Sequence, residues 1–252
     1  MQENKVVKVK VCGEFACFTQ PQLKVERMTY PCMTPSAARG ILDSILWKPE
    51  FKWWIHRIYV LKPIQFFSIK RNELKNVIKQ KEPFDIDELD DRKKPKYRTQ
   101  RNSIILKDVA YIIEAGIFMN ENDITKDNHP TKYMCMFNRR IQKGQSWKTP
   151  FLGTREFYCN FQPVKYDTDK PEPIDFPIGS MFLDNYYDKS GKITPLYFKE
   201  DVSIKNGVLE CKNEYEELMT SFHIPSKFID IKLKEKLNEL PDKEEVEECS
   251  GN

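Results

Sequence analysis

The 252-residue chain has seven cysteines, Cys12, Cys17, Cys32, Cys135, Cys159, Cys211 and Cys249, yet no Cys-x-x-Cys pair. An odd number without ligand spacing argues against a zinc site or a disulfide framework and for free thiols in a reducing compartment. No apolar run approaches membrane-spanning length, and Met1-Gln2-Glu3-Asn4-Lys5 leads into alternation with no apolar signal core. A soluble, cytoplasmic protein without a membrane partner is expected. There is no Gly-x-Ser-x-Gly motif and no glycine-rich phosphate loop, which leaves nucleophilic triads and nucleotide triphosphatases without support. Asp85, Asp87, Asp90 and Asp91 have no histidine at ligand spacing, so they read as a solvated acidic loop, and neither metal nor cofactor is expected. Internal repeats are also missing.

What is present is a divided charge. The net charge is only +3. Between residues 39 and 75, however, Arg39, Lys48, Lys52, Arg57, Lys62, Lys70, Arg71 and Lys75 face only Asp43, Glu50 and Glu73. Arg92, Lys93, Lys94, Lys96, Arg98 and Arg101 form a second basic run without an acid, and the stretch from Glu235 to Glu248 is mostly acidic. A basic body with an acidic tail points to a polyanion, because phosphate contacts supply most nucleic-acid affinity. With 40% hydrophobic residues, the chain can still bury a proper core.

Val7, Val9 and Val11 alternate with Lys8 and Lys10, a half-buried strand. Thr34-Pro35 starts a helix, with Thr34 as N-cap, and Pro49 forbids its continuation. Trp53 to Leu61 and Ile104 to Phe118 read as strands. Pro130 to Lys143 reads as a second helix closed by Gly144. Thr154 to Phe161 alternates as a fourth strand. The order β-α-β, excursion, β-α-β is the split βαβ of an α+β, ferredoxin-like domain over residues 1–162, with one sheet face left open for a ligand. The excursion, about residues 70–103, has little regular apolar pattern and reads as a functional or disordered insertion. Prolines at 163, 171, 173 and 177 mark a linker. Short runs Ile178–Leu183, Leu196–Lys199 and Val208–Cys211, with turns at Asp188–Gly191 and Asn206-Gly207, predict a small antiparallel β-sheet domain over 163–225. Residues 226–252 read as a flexible acidic tail.

The chemistry concentrates near residue 130. His129, Lys132 and Tyr133 put an imidazole, an ammonium and a phenol at a helix start, and Arg139, Arg140 and Lys143 follow on that helix. No carboxylate occurs between Lys132 and Arg155. Such groups suit metal-free RNA cleavage. There the 2′-hydroxyl is the nucleophile, and the protein supplies acid, base and a cation for the phosphorane. The plainer reading is a loop histidine, a solvated lysine and a tyrosine packed on the sheet. Arg155 would join the phosphate-binding set from the next strand. Trp47, Trp53, Trp54, Phe66 and Phe67 are candidate base-stacking platforms, though most suit a core equally well.

Several separated blocks resemble one family. They include Gly13-Glu14-Phe15-Ala16-Cys17-Phe18-Thr19, Lys24-Val25-Glu26-Arg27, Thr34-Pro35-Ser36-Ala37-Ala38-Arg39-Gly40-Ile41-Leu42 and Trp47-Lys48-Pro49. Pro63-Ile64-Gln65, Arg71-Asn72-Glu73 and Leu152-Gly153-Thr154-Arg155-Glu156-Phe157 extend them. Together they resemble the fifth CRISPR-associated protein family in its subtype I-C (Dvulg) form, from about residue 5 to residue 200. The resemblance implies an RRM-like fold of the RAMP superfamily followed by a small β domain. It implies an endoribonuclease that cuts CRISPR precursor RNA without metal, at the base of the repeat hairpin, and leaves a cyclic phosphate. The protein would then stay on the crRNA 5′ handle as a Cascade subunit, beside the seventh-family backbone and the eighth-family large subunit.

The same resemblance implies a catalytic tyrosine before Trp-Lys-Pro and a Lys-His pair opening the second helix. Here Leu46 occupies the tyrosine position and Tyr133 the histidine position, and only Lys132 matches. Tyr133, His129 or Tyr30 would have to handle protons. Arg39, Lys48, Arg71, Arg139, Arg140, Lys143 and Arg155 would hold phosphates. Two other classes stay open: a non-catalytic subunit that grips a finished 5′ handle, which the missing Tyr-His pair favours, and a duplex-DNA-binding module built on the basic insertion.

Overall fold

A computed structural model describes residues 6–75, 85–119, 128–187, 193–212 and 214. The first strand, β1 (Val7–Ala16), buries Val9 and Val11 completely and leaves Lys8 and Lys10 on the other face, as its alternation requires. Helix α1 (Pro35–Ile45) starts where the Thr34 hydroxyl accepts the Ala37 N–H at 3.2 Å. It buries Ala38, Ile41, Leu42 and Ile45 at helical spacing, and burying each of the larger three is worth about 1.5–3 kcal/mol. The helix stops at Leu46, ahead of the Trp-Lys-Pro turn.

Strand β2 (Phe51–Val60) follows, then β3 (Phe66–Leu74), β4 (Arg98–Met119), helix α2 (Pro130–Gln142) and β5 (Asn160–Gln162). The later strands are β6 (Phe176–Gly179), β7 (Phe182–Tyr187), β8 (Ile193–Tyr197), β9 (Val202–Ile204) and β10 (Val208–Glu210). The main sheet is antiparallel, in the order β10-β2-β4-β1-β5, with β3 paired to the first half of β4. The fold is therefore mixed α/β with antiparallel sheets.

Three expectations are corrected. The excursion is not without structure. Residues 66–74 and 98–106 pair as a β-hairpin arm, because β4 is 22 residues long and its first half has no other long partner. At the arm's end the acidic patch engages the basic run. Glu88 pairs with Lys96 at 2.8 Å, Asp87 with Arg98 at 2.8 Å, and Asp90 accepts the Arg92 and Lys94 N–H groups. The fourth strand is only β5. Residues 152–157 form a turn, in which the Leu152 and Phe157 backbones bond each other and Gly153 adopts φ +85°. The last expected strand does not belong to a separate sheet, for β10 extends the main sheet along β2. Two further ladders, β6–β9 and β7–β8, pack their Met181, Leu183, Phe198, Val202 and Ile204 into the same core as Val9 and Ile41. The proposed turn at 188–191 and the tail from 226 onward lie outside the described residues.

Candidate active site and nucleic-acid interface

Pro130 occupies the first position of α2, so residue 129 must be the N-cap. The cap is His129, whose Nδ1 accepts the Lys132 backbone N–H at 3.4 Å. A ring nitrogen that accepts carries no proton, so Nε2 is the ring nitrogen left to donate. Within the same turn the Lys132 side chain is exposed and lies 6.0 Å from the centroid of the Tyr133 ring. Tyr133 points the other way. It is only 4% exposed, packs 4.8 Å from the Phe51 ring, and donates its hydroxyl to Asn128 Oδ1. Burial first, and then the Glu50 charge, push its phenol above the ordinary value. Tyr133 is thus protonated at neutral pH, a donor and not a base.

His129, Lys132 and Tyr133 therefore meet at one helix start, joined by Asn128, which the sequence reading did not single out. The signal for the cap was present in the His-Pro step itself. Tyr30 does not join them through its hydroxyl. It is 2% exposed, its oxygen accepts the Phe182 N–H of β7 at 3.2 Å, and burial raises its phenol despite that bond. Leu46 is fully buried in the core.

The candidate phosphate-binding residues fall into separate groups. Lys132, Arg139 and Lys143 recur at i, i+7 and i+11, so they line one exposed stripe of α2 about 16 Å long. Arg139 and Lys143 make no ion pair among the described residues, so their charge faces solvent. Arg140 turns inward and donates to the Ile45 carbonyl at 2.5 Å, which fixes α2 against the end of α1. Arg39 bonds Asp184 through Nε and Nη2, at 2.6 and 2.8 Å, and Asp43 through Nη1 at 2.9 Å. Its guanidinium ties α1 to β7. Arg71, on the arm, binds Glu73 at 2.8 Å and also Glu156. Arg155 is exposed in the loop that Glu156 anchors, and Lys48 is half-buried after α1. Trp53 is buried and donates to the Leu46 carbonyl, and Trp54 is buried, so neither is a free platform. Trp47, Phe66 and Phe67 are exposed. Among the described residues no group of three or more His, Cys, Asp or Glu is placed to hold a metal ion, and no helix is long and apolar enough to cross a membrane.

Residues 6–236 match the model of a family described as CRISPR-associated protein (Cas_Cas5). A CRISPR pre-crRNA endoribonuclease Cas5d of Mannheimia succiniciproducens is 38% identical over 230 residues, covering 84% of this chain and 96% of its own. The protein of the same name from Thermus thermophilus is 39% identical over 231 residues, covering 84% and 94%. A crystal structure of a CRISPR-associated protein aligns with a TM-score of 0.59 at 25% identity, over 86% of this chain and 96% of that one. A functionally uncharacterized protein, SMU1763c from Streptococcus mutans, shares the fold with a TM-score of 0.59 at 24% identity, over 84% and 95%. This chain belongs to the Cas5d family of CRISPR-associated proteins.

Proposed function

We propose that this protein is a metal-independent endoribonuclease for CRISPR precursor RNA, of subtype I-C. In this reading it binds the repeat hairpin and then stays on the crRNA 5′ handle as a Cascade subunit beside seventh- and eighth-family proteins. The observation that carries it is the start of α2, where an exposed lysine stands in the positive end of the helix dipole with no acidic residue in the first turn. The names of the two relatives support the substrate class. The strand order β5-β1-β4-β2 is the one expected of a ferredoxin-like domain, in support of an RNA-binding scaffold.

The mechanism follows from what each group can offer. The RNA 2′-hydroxyl attacks the adjacent phosphorus as its proton passes to water, the P–O5′ bond breaks as O5′ takes a proton from water, and a 2′,3′-cyclic phosphate remains. Lys132 and the helix N-terminus stabilise the extra negative charge of the phosphorane. His129 offers Nε2–H as a hydrogen bond to a phosphate oxygen, since Nδ1 holds the cap. Tyr133 holds Asn128, and through it the loop that carries His129, as a positioning residue. Arg139 and Lys143 extend the phosphate track along α2.

The test is a repeat-hairpin RNA incubated with the protein in EDTA. Cutting with a 2′,3′-cyclic end is expected, and strict Mg²⁺ dependence would overturn the mechanism. A second reading, a non-catalytic subunit holding a finished 5′ handle, is favoured by the buried Leu46 and the engaged Tyr133 hydroxyl. Tight binding of the hairpin without any cutting selects it. Duplex DNA competing at matched salt as well as repeat RNA would select a DNA-binding module instead.

A further inference from the structure

A cavity of about 780 Å³ lies away from the start of α2. Its lining joins Asn138, Ile141 and Gln142 of the second half of that helix to Lys8, Arg57 and Glu114 of the main sheet. Its volume is that of a small-ligand site. The floor is Glu114, 5% exposed. Glu114 Oε2 accepts the Tyr59 hydroxyl at 2.7 Å and Lys8 at 3.0 Å, and Oε1 accepts Arg57 at 3.4 Å. Burial alone would raise this carboxyl, but the Tyr59 and Lys8 hydrogen bonds outweigh it and hold the group below the ordinary value. The ionised carboxylate has about four lone-pair directions and three donors, so one acceptor position remains on a group that lines the cavity.

The walls are specifically arranged. A β-bulge between Ile55 and Arg57 turns His56 onto the cavity, where its ring lies over Gly116. A Cβ on Gly116 would come within 2.9 Å of the imidazole Nε2, so this glycine makes room for the ring. Asn138 and Gln142, one turn apart on α2, add two exposed amides, and Tyr166 adds a ring that is 71% exposed. Arg57 keeps 46% of its side chain exposed even while bonded to Glu114 and Glu210.

We propose that this cavity is a nucleotide subsite that takes one unpaired RNA base bearing an exocyclic amino group. The occupant rests on the RNA-binding reading above. The selectivity follows from the floor: the carboxylate accepts the exocyclic amino group of adenine, cytosine or guanine, whereas uracil offers only its N3–H, flanked on both sides by carbonyl oxygens that the carboxylate disfavours. Asn138 and Gln142 bond the base edge, Tyr166 stacks on its face, and Arg57 meets phosphate at the rim. The helix that forms the wall also bears the basic stripe. Gln142 lies about 15 Å along α2 from Lys132, so a strand bound at the stripe reaches the mouth.

The experiment measures fluorescence anisotropy of labelled adenosine, cytidine and uridine tetranucleotides with the full chain, with thermal melts of every variant alongside. The wild type is expected to bind the adenosine and cytidine probes about fivefold or more tighter than the uridine probe, the worth of one hydrogen bond. Glu114→Gln, whose amide offers a donor as well as an acceptor, brings the three probes within about twofold, and Tyr166→Ala weakens all three. Should Glu114→Gln melt early, the double variant Asn138→Ala/Gln142→Ala decides the matter through an expected loss of about fivefold for adenosine and cytidine. Equal wild-type affinities, a preference that survives the folded variants, or displacement of the probes by a polyglutamate peptide overturns the proposal. Cleavage of repeat RNA in EDTA is scored separately, so loss of this subsite and loss of the nuclease reading are told apart.

Discussion

Lys132→Ala should change activity and stability in opposite directions. Lys132 is the third residue of α2, where the helix dipole is positive. A cation there is unfavourable by about 0.3–1 kcal/mol, and lysine is also a slightly weaker helix former than alanine. Its contact with the Tyr133 ring, at 6.0 Å, returns about 0.5 kcal/mol at most. Removal should therefore leave the melting temperature unchanged or raise it slightly. If the ammonium meets the phosphorane, its loss removes one charged transition-state partner, worth roughly 10²–10³ in rate, or about 2.7–4 kcal/mol. The assay is single-turnover cleavage of the repeat hairpin in EDTA at saturating protein, with thermal melts in the same buffer. A rate within threefold of wild type would refute the role of Lys132. A slow variant that also melts several degrees lower would refute the argument that this cation acts at the expense of the fold.

Leu46→Tyr places a phenol where the family resemblance expects one, but Leu46 is fully buried, so overpacking should cost about 1–3 kcal/mol without raising the cleavage rate. Urea melts and the cleavage assay check both halves. Gly153→Ala and Gly144→Ala differ although both glycines have positive φ. At Gly153 a Cβ falls on the Cys17 carbonyl, while at Gly144 nothing lies within 4 Å. The second should cost about 1–2 kcal/mol, and the first clearly more, as loss of folded yield. Acid should destabilise the protein partly through Glu114 and Asp169, both held below their ordinary values against the opposing effect of burial, Glu114 by Tyr59 and Lys8, Asp169 by Lys10. A depressed carboxylate adds stability that is complete above its unfolded value and is lost as pH falls through the folded one. The loss should therefore begin below the ordinary values of 4.5 and 3.8, and Glu114→Gln/Asp169→Asn should flatten the acid limb of melting temperature against pH.

Local rules carried much of this protein. Valine–lysine alternation places β1, Thr34-Pro35 starts α1, and Pro130 with Gly144 bounds α2, because capping, proline geometry and periodicity act over a few residues. The same rules misled at Thr154–Phe161, where alternation suggests a strand. The chain instead turns, because Gly153 closes onto the Cys17 backbone and Leu152 is drawn into the core. Alternation cannot report a partner strand, and a strand without one does not persist.

Most of the helices and strands, the family resemblance, and the cluster of imidazole, ammonium and phenol at one helix start are legible along the chain. Packing over long chain distances sets how those groups are presented. It turned Tyr133 inward onto Phe51, drew the Tyr30 hydroxyl to β7, joined Arg39 to Asp184, and left Lys132, Arg139 and Lys143 facing solvent along α2. The reason is that a charge or a hydroxyl takes its role from its nearest partner and its exposure to water. Those partners lie as far as 145 and 152 residues away in the chain, beyond the reach of any local pattern.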